Sequence, residues 1–221
     1  MLLAIDTSAN LCAVCVWEGN AALASITEDI GTGHAEHLMG MIDEVLAQAE
    51  ATYGDLSRIG VVIGPGSFTG VRVGVSSARG LALALSIPAV GVTTLEALAA
   101  EARAAGAAHP TLAVIDARRD QFYSALYDEH GSELLRPAVL DIENTTSRLP
   151  AGDLVLTGSG ASVFADRLGH SGLGSGATAS IDTYARLAAA KAVVAEKPKP
   201  LYLRGADAKP QASFVLPSRE G

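Results

Sequence analysis

An α/β protein of two similar lobes is what the 221-residue sequence predicts, on three observations. The segment AIDTSANLCAVCVWEG at 4–19 returns 110 positions later as VIDARRDQFYSALYDE, placing Ile5 on Ile115, Asp6 on Asp116, Val16 on Leu126, Trp17 on Tyr127 and Glu18 on Asp128. Each copy runs an apolar strand into an aspartate, a polar turn and a second strand, and an internal repeat of this kind signals related structural units. Short Val/Ile/Leu-rich runs alternate with Ala-rich helical stretches, which favours α/β over all-α or all-β. With 49% apolar and 18% charged residues, the chain has the means to bury a substantial core. The lobes are expected over residues 1–105 and 106–221.

The opening hairpin, over 2–27, leads through Gly31-Thr32-Gly33 into a helix over 34–49. There Leu38, Met41, Ile42, Val45, Leu46 and Ala49 follow the i, i+3, i+4, i+7 spacing of one buried stripe. A continuous apolar strand over 59–63 ends in Gly64-Pro65-Gly66, and Ser67 caps a helix reaching Leu85. Gly70, Gly74, Ala78 and Ala82 recur at every fourth position of that helix, a ridge with almost no side chain. An interior glycine costs up to about 1 kcal/mol relative to alanine. Close packing must offset this, either on the chain's own sheet or on another subunit.

A strand over 89–92 and a helix over 94–105 finish the first lobe, and 104–110 reads as the linker. The second lobe opens with its hairpin at Leu112, while 131–150 carries no recognisable chemistry. A strand over 154–156 enters Gly158-Ser159-Gly160, a helix runs to about Leu168, and 169–180 is a flexible Gly/Ser-rich loop. Asp182 caps a last helix to about Glu196, Lys197-Pro198-Lys199-Pro200 breaks it, Leu201-Tyr202-Leu203-Arg204 runs extended, and the tail beyond Gly205 is loose.

The net charge of −8 and a pI near 5.0 argue against direct nucleic-acid binding, which needs clustered Lys and Arg. No apolar run approaches the roughly 20 residues of a membrane span. The first residues read as a buried strand rather than a leader, so a cytoplasmic location is expected. Cys12 and Cys15 form a CxxC, but residues three apart on a strand face opposite ways, and no second pair completes a zinc site. They read as two buried thiols.

Asp6-Thr7-Ser8 at a strand end, beside Gly64-Pro65-Gly66-Ser67 at a helix start, has the makings of a phosphate cradle built from backbone N–H groups. The plain alternative is a tight turn that needs glycine. GPGSFTGVR lacks the Lys-Ser/Thr pair of a Walker A loop, and Gly158-x-Gly160 lacks the third glycine and acidic partner of a dinucleotide site. His34 and His37 share a helix face with no third placed ligand, so they read as solvated polar residues rather than a metal site. His109, His130 and His170 fall in linkers or loops. Ser67 has neither a Gly-x-Ser-x-Gly context nor marked triad partners, which leaves a hydrolase or peptidase poorly supported.

The strand-Asp-turn-strand opening of each lobe resembles the actin, sugar-kinase and heat-shock ATPase superfamily, in which phosphates are held between the lobes. A second resemblance is more specific. GPGSFTGVRVGVSSARGLALALSIPAVGVTTLEALA at 64–99, with the opening IDTS, GHAEHLMGMID, IDARRDQFYSALY and the closing PLYLR, is similar to the bacterial TsaB family, also called YeaZ. The similarity covers nearly the whole chain.

That resemblance implies a part in making N6-threonylcarbamoyladenosine, beside the anticodon of tRNA, as a degenerate relative of the transferase subunit TsaD. In TsaD a stretch reading approximately GVNHLEGH carries the two metal-binding histidines. Here the stretch is GVTTLEAL at 91–98, with Thr94 and Leu98 at the histidine positions. Leucine has no lone pair and threonine is a poor ligand for a transition metal. The implied reading is a scaffold with no catalytic residues, metal or cofactor of its own, and Asp6, Thr7, Gly64, Gly66 and Ser67 as a vestigial cleft. The resemblance further implies a heterodimer with TsaD, a ternary complex with TsaE, a link to TsaC as supplier of the adenylate, and a homodimer when TsaD is absent. The helices at about 34–49 and 67–85 would form the interface, through Leu38, Met41, Ile42, Val45, Gly70, Arg72, Gly74 and Ala78. An ATP-using or metal-dependent enzyme of the same superfamily is the alternative.

Overall fold

The computed structural model describes residues 1–169, 174 and 176–204. Its first sheet has the order β3-β2-β1-β4-β5, built from β1 (Leu2–Asp6), β2 (Leu11–Glu18), β3 (Ala21–Asp29), β4 (Arg58–Val62) and β5 (Ala89–Val92). The second has the order β8-β7-β6-β9, from β6 (Thr111–Asp116), β7 (Phe122–Tyr127), β8 (Glu133–Leu140) and β9 (Val155–Thr157). In each, the first strand pairs antiparallel with its hairpin partner and parallel with a later strand. The internal repeat is therefore a repeat of topology.

Among the described residues, six α-helices fill three layers around the sheets: α1 (His34–Gln48), α2 (Phe68–Leu85), α3 (Thr94–Ala104), α4 (Ile142–Thr146), α5 (Ala161–Leu168) and α6 (Ile181–Ala190). Alternating strand residues point to opposite faces. Leu3, Ile5, Val14 and Val16 meet α1 and α2 in one core, while Leu112, Val114, Leu126 and Leu156 meet α5 in another. Between the sheets, Leu2, Ala4, Trp17, Ala113, Ile115 and Tyr127 enclose α3 and α6 in a third. These two helices cross over. α3 follows the first sheet in the chain yet packs on β6 and β7, and α6 comes from the end of the chain yet packs on β1, β2 and β4. The covalent boundary at 105/106 thus does not separate two independent cores.

Several local expectations need correction. Residues 131–150 form β8 and α4, an edge strand joined to β7 through register irregularities, whose intermediate burial hides the period of two. The cap of α6 is Ser180, which accepts from Thr183 N–H, with Asp182 in the first turn. This helix ends at Ala190 because the Arg58 guanidinium draws in the carbonyls of Ala188, Ala189 and Lys191 at 2.8–2.9 Å. Lys191 then turns extended and its ammonium meets Glu96 at 2.6 Å. His170 and the tail beyond Arg204 lie outside the described residues.

The ridge of α2 faces its own sheet. A Cβ on Gly74 would lie 2.5 Å from Thr7 Oγ1, and one on Gly70 only 2.0 Å from the Thr7 carbonyl oxygen. Gly70, Gly74 and Ala78, like Leu38, Met41, Ile42 and Val45 on α1, are buried in the chain's own core, so none of these seven is open to a partner. Arg72 alone of the expected interface residues is exposed. The outward positions of the two helices include Met39, Gly40, Ser76, Gly80 and Leu83.

Candidate functional site

The two loops singled out as a phosphate cradle do come together, but they are fastened to each other. Ser67 N–H donates to the Ser8 carbonyl at 2.6 Å, Thr7 Oγ1 donates to the Gly70 carbonyl at 2.7 Å, and Gly70 N–H turns to Ser67 Oγ at 3.2 Å. Thr94 N–H donates to the Gly64 carbonyl at 2.9 Å. The approach is so close that a Cβ on Gly66 would lie 2.2 Å from the Ser8 carbonyl oxygen. Gly64 has φ +91°, a conformation that glycine adopts without the Cβ penalty. Two of the N–H groups at the start of α2, those of Ser67 and Gly70, are thus already committed.

Asp6 is closed off as well. The carboxylate is 1% exposed. Its Oδ1 accepts from Ser8 N–H at 2.7 Å and its Oδ2 from Thr178 Oγ1 at 2.6 Å. With that proton given to Asp6, Thr178 Oγ1 accepts in turn from Tyr184 OH at 2.7 Å. Burial holds the Asp6 carboxyl above the usual carboxylate range, outweighing the hydrogen bonds from Ser8 and Thr178 and the nearby His34 ring. Tyr184 is pushed up by the same burial, with the Asp6 charge adding to it. Thr178 and Tyr184 lie some 170 residues from Asp6, and no local pattern in the chain marks them. The lead into α6 is the plug of this cleft.

Thr94 and Leu98 are buried between the sheets, Leu98 among Leu95, Ala97 and Ala113. The Thr94 hydroxyl has no hydrogen-bond partner among the described residues. Such a donor set does not fit a transition metal. His34 is not solvated, contrary to expectation. It is buried, and its Nε2 lies 3.0 Å from the Ala9 carbonyl and 3.2 Å from that of Leu11. Two carbonyls can only accept, so Nε2 carries the proton and the ring pins the β1–β2 turn to the start of α1; His37 is exposed. Cys12 and Cys15 belong to cores on opposite faces of β2, and burial raises their thiols to about 11 and about 12.

Beside the sealed cleft, a cavity of about 790 Å³ opens between the start of α2, Tyr123 of β7 and the 200–204 segment. Its Arg72, Tyr202 and Arg204 are brought together only by tertiary structure.

Comparison with known proteins places these features. A family profile described as TsaD, tRNA N6-adenosine threonylcarbamoyltransferase, matches residues 26–203. The chain is 36% identical over 180 residues to the Escherichia coli protein named tRNA threonylcarbamoyladenosine biosynthesis protein TsaB, covering 78% of this chain and 77% of that one. The crystal structure of YeaZ from Pseudomonas aeruginosa superposes with a TM-score of 0.75 at 30% identity, over 91% of this chain and 99% of that one. A Clostridium difficile dehydratase activator with bound ADPNP shares the fold alone, at a TM-score of 0.50 and 10% identity over 84% of this chain and 92% of that one. The two-sheet architecture is thus that of the actin-like ATPases, and the chain belongs to the TsaB/YeaZ family, inside the wider family that the threonylcarbamoyltransferase profile describes.

Proposed function

We propose that this chain is a non-catalytic subunit in the biosynthesis of tRNA threonylcarbamoyladenosine, binding TsaD as a scaffold and activator. The observation that carries the reading is the state of Asp6, whose two oxygens are both engaged by the chain itself under the α6 lead. A carboxylate so enclosed has no face to turn to a metal or to the water around a phosphate. The loop that would cradle phosphate is tied down beside it. Thr94 and Leu98, which the resemblance sets at the positions of the TsaD histidines, are poor ligands for a transition metal.

The partner surface is assigned to the outward face of α1 and α2. Met39 and Leu83 are exposed apolar side chains there, and a Cβ on Gly40 or Gly80 meets nothing within 4 Å, so a second helix pair has room to approach. In this reading the same face serves a homodimer when TsaD is absent. TsaE joins the pair, TsaC supplies the adenylate, and tRNA is left to the partners, consistent with the net charge of −8. The assembly is cytoplasmic.

A reconstituted system tests this. The chain should co-purify with TsaD, and modification of tRNA should need both proteins. Asp6→Ala, if folded, should leave the modification rate within about twofold of wild type. A drop beyond about tenfold, equal to about 1.4 kcal/mol, or micromolar binding of ATP, Zn2+ or Mg2+ with turnover by the isolated chain, would establish the enzyme reading instead.

A further inference from the structure

The cavity beside the cleft has a composition that the scaffold reading does not use. Phe68 and Tyr202 stand at its rim, 60% and 55% exposed, with ring centroids 6.0 Å apart. The Arg72 guanidinium lies 3.6 Å over the Phe68 ring and donates through Nε to Tyr202 OH at 2.9 Å. Arg204 enters the same cavity and donates to the Gln121 side-chain oxygen. Neither arginine meets a carboxylate among the described residues. In a chain with 24 acidic and 16 basic residues, two guanidiniums gathered in one cavity without an acidic partner indicate an anionic occupant.

The wall formed by 200–204 narrows the choice. Leu201 N–H donates to the Ile63 carbonyl at 2.8 Å, which docks this segment against the end of the first sheet. Among the described residues the backbone groups of Tyr202 and Leu203 have no partner, so they are available to a bound chain. Of the N–H groups at the start of α2, those of Ser67 and Gly70 are already occupied, which leaves an incomplete cradle for a phosphate. We infer that this cavity binds an extended acidic segment of a partner protein, with carboxylates on Arg72 and Arg204, an apolar side chain in the cavity beside Phe68 and Tyr202, and main-chain hydrogen bonds to 202–203.

Fluorescence anisotropy with a labelled hexapeptide of alternating aspartate and leucine tests it on the full chain, with the lysine and leucine counterpart as control. The acidic peptide should bind at least about tenfold more tightly than the basic one, and Arg72→Gln with Arg204→Gln should remove at least that factor. Phe68→Ala, which keeps both charges, should also weaken binding, and circular dichroism melts show whether each variant is folded. Equal binding of the two peptides, or unchanged binding to the folded double variant, overturns the inference. Displacement by AMP at equal concentration would assign the cavity to a nucleotide, and displacement by a synthetic 205–221 peptide would assign it to this chain's own tail; either result also overturns it. Co-purification with TsaD through the α1/α2 face is read separately and does not depend on the outcome.

Discussion

The hairpins that open the two sheets share a sequence pattern and a topology, yet they bury different residues. In the first, Asp6 pairs with Ala13, and in the second Asp116 pairs with Phe122, so the second turn is one residue shorter. A one-residue slip in a sheet sends every side chain of the slipped strand to the other face. Trp17 and Tyr127 both still point between the sheets, but Ile5 faces α1 and α2 while Ile115 faces the inter-sheet core. The aspartates part company for the same reason: Asp6 lies enclosed under α6, and Asp116 is exposed, holding its turn by accepting from Arg118 N–H at 2.7 Å. A repeat in sequence can carry the architecture into both halves without carrying the site.

The hairpins agree in one device, and breaking it should give the largest effects. A glycine after the parallel partner strand touches the backbone of the first strand or its turn in each half, Gly66 against Ser8 and Gly158 against Val114, with a built Cβ 2.2 Å from the carbonyl oxygen in both. Gly158 also sits at φ +97°. Gly66→Val and Gly158→Val should each cost on the order of 3–5 kcal/mol, since a backbone oxygen cannot move aside as a flexible side chain can. Chemical denaturation measures this, and a midpoint unchanged in either variant would show that the clamp is absent from that half.

Asp6 and Asp116 should differ next. Burial raises the folded-state pKa of Asp6 above the unfolded value of about 3.9, so the native state holds the proton more tightly than the unfolded chain does. Stability is therefore lost as pH rises through the unfolded value towards the folded one, and the loss is complete above it. Asp6→Asn should melt at a higher temperature than wild type at pH 8, with the gap closing below pH 4. Asp116→Asn should stay within about 0.5 kcal/mol throughout. A gap for Asp6→Asn that does not change with pH would contradict the enclosed carboxylate.

The smallest effect on stability separates the two faces of α2. Gly80→Leu should leave the melt within about 1 kcal/mol, because its Cβ meets open space, and should abolish co-purification with TsaD. Gly74→Leu should unfold the chain instead, its Cβ falling 2.5 Å from Thr7 Oγ1. A Gly80→Leu protein that still binds TsaD moves the partner surface elsewhere.

Much of this was legible from local pattern. The stripe through Leu38 and Val45 and the opposed cysteines follow from periodicities of 3.6 and 2 that any buried helix or strand must show, and the Ser67 cap follows from a hydroxyl placed just before a helical run. The edge strand β8 was illegible because half-exposed positions carry no apolar alternation. The neighbour of the α2 ridge was left open for a related reason: small residues every fourth position say that something approaches closely, and not whether it belongs to the same chain, as Thr7 does. His34 read as solvated because nothing near it in sequence shows the carbonyls of Ala9 and Leu11 folding back onto its ring.

By itself the order of residues determined the two-lobed α/β class and most helix and strand positions, since these depend on side-chain identity and short-range spacing. Only the tertiary structure decided that Asp6 is sealed by Thr178 and Tyr184, that α3 and α6 exchange sheets, and that Arg72 and Arg204 share one cavity. Asp6 and Thr178, α6 and β1, and Arg72 and Arg204 stand more than 100 positions apart, and what brings such residues together is the burial of apolar surface over the whole chain, which no window of sequence contains.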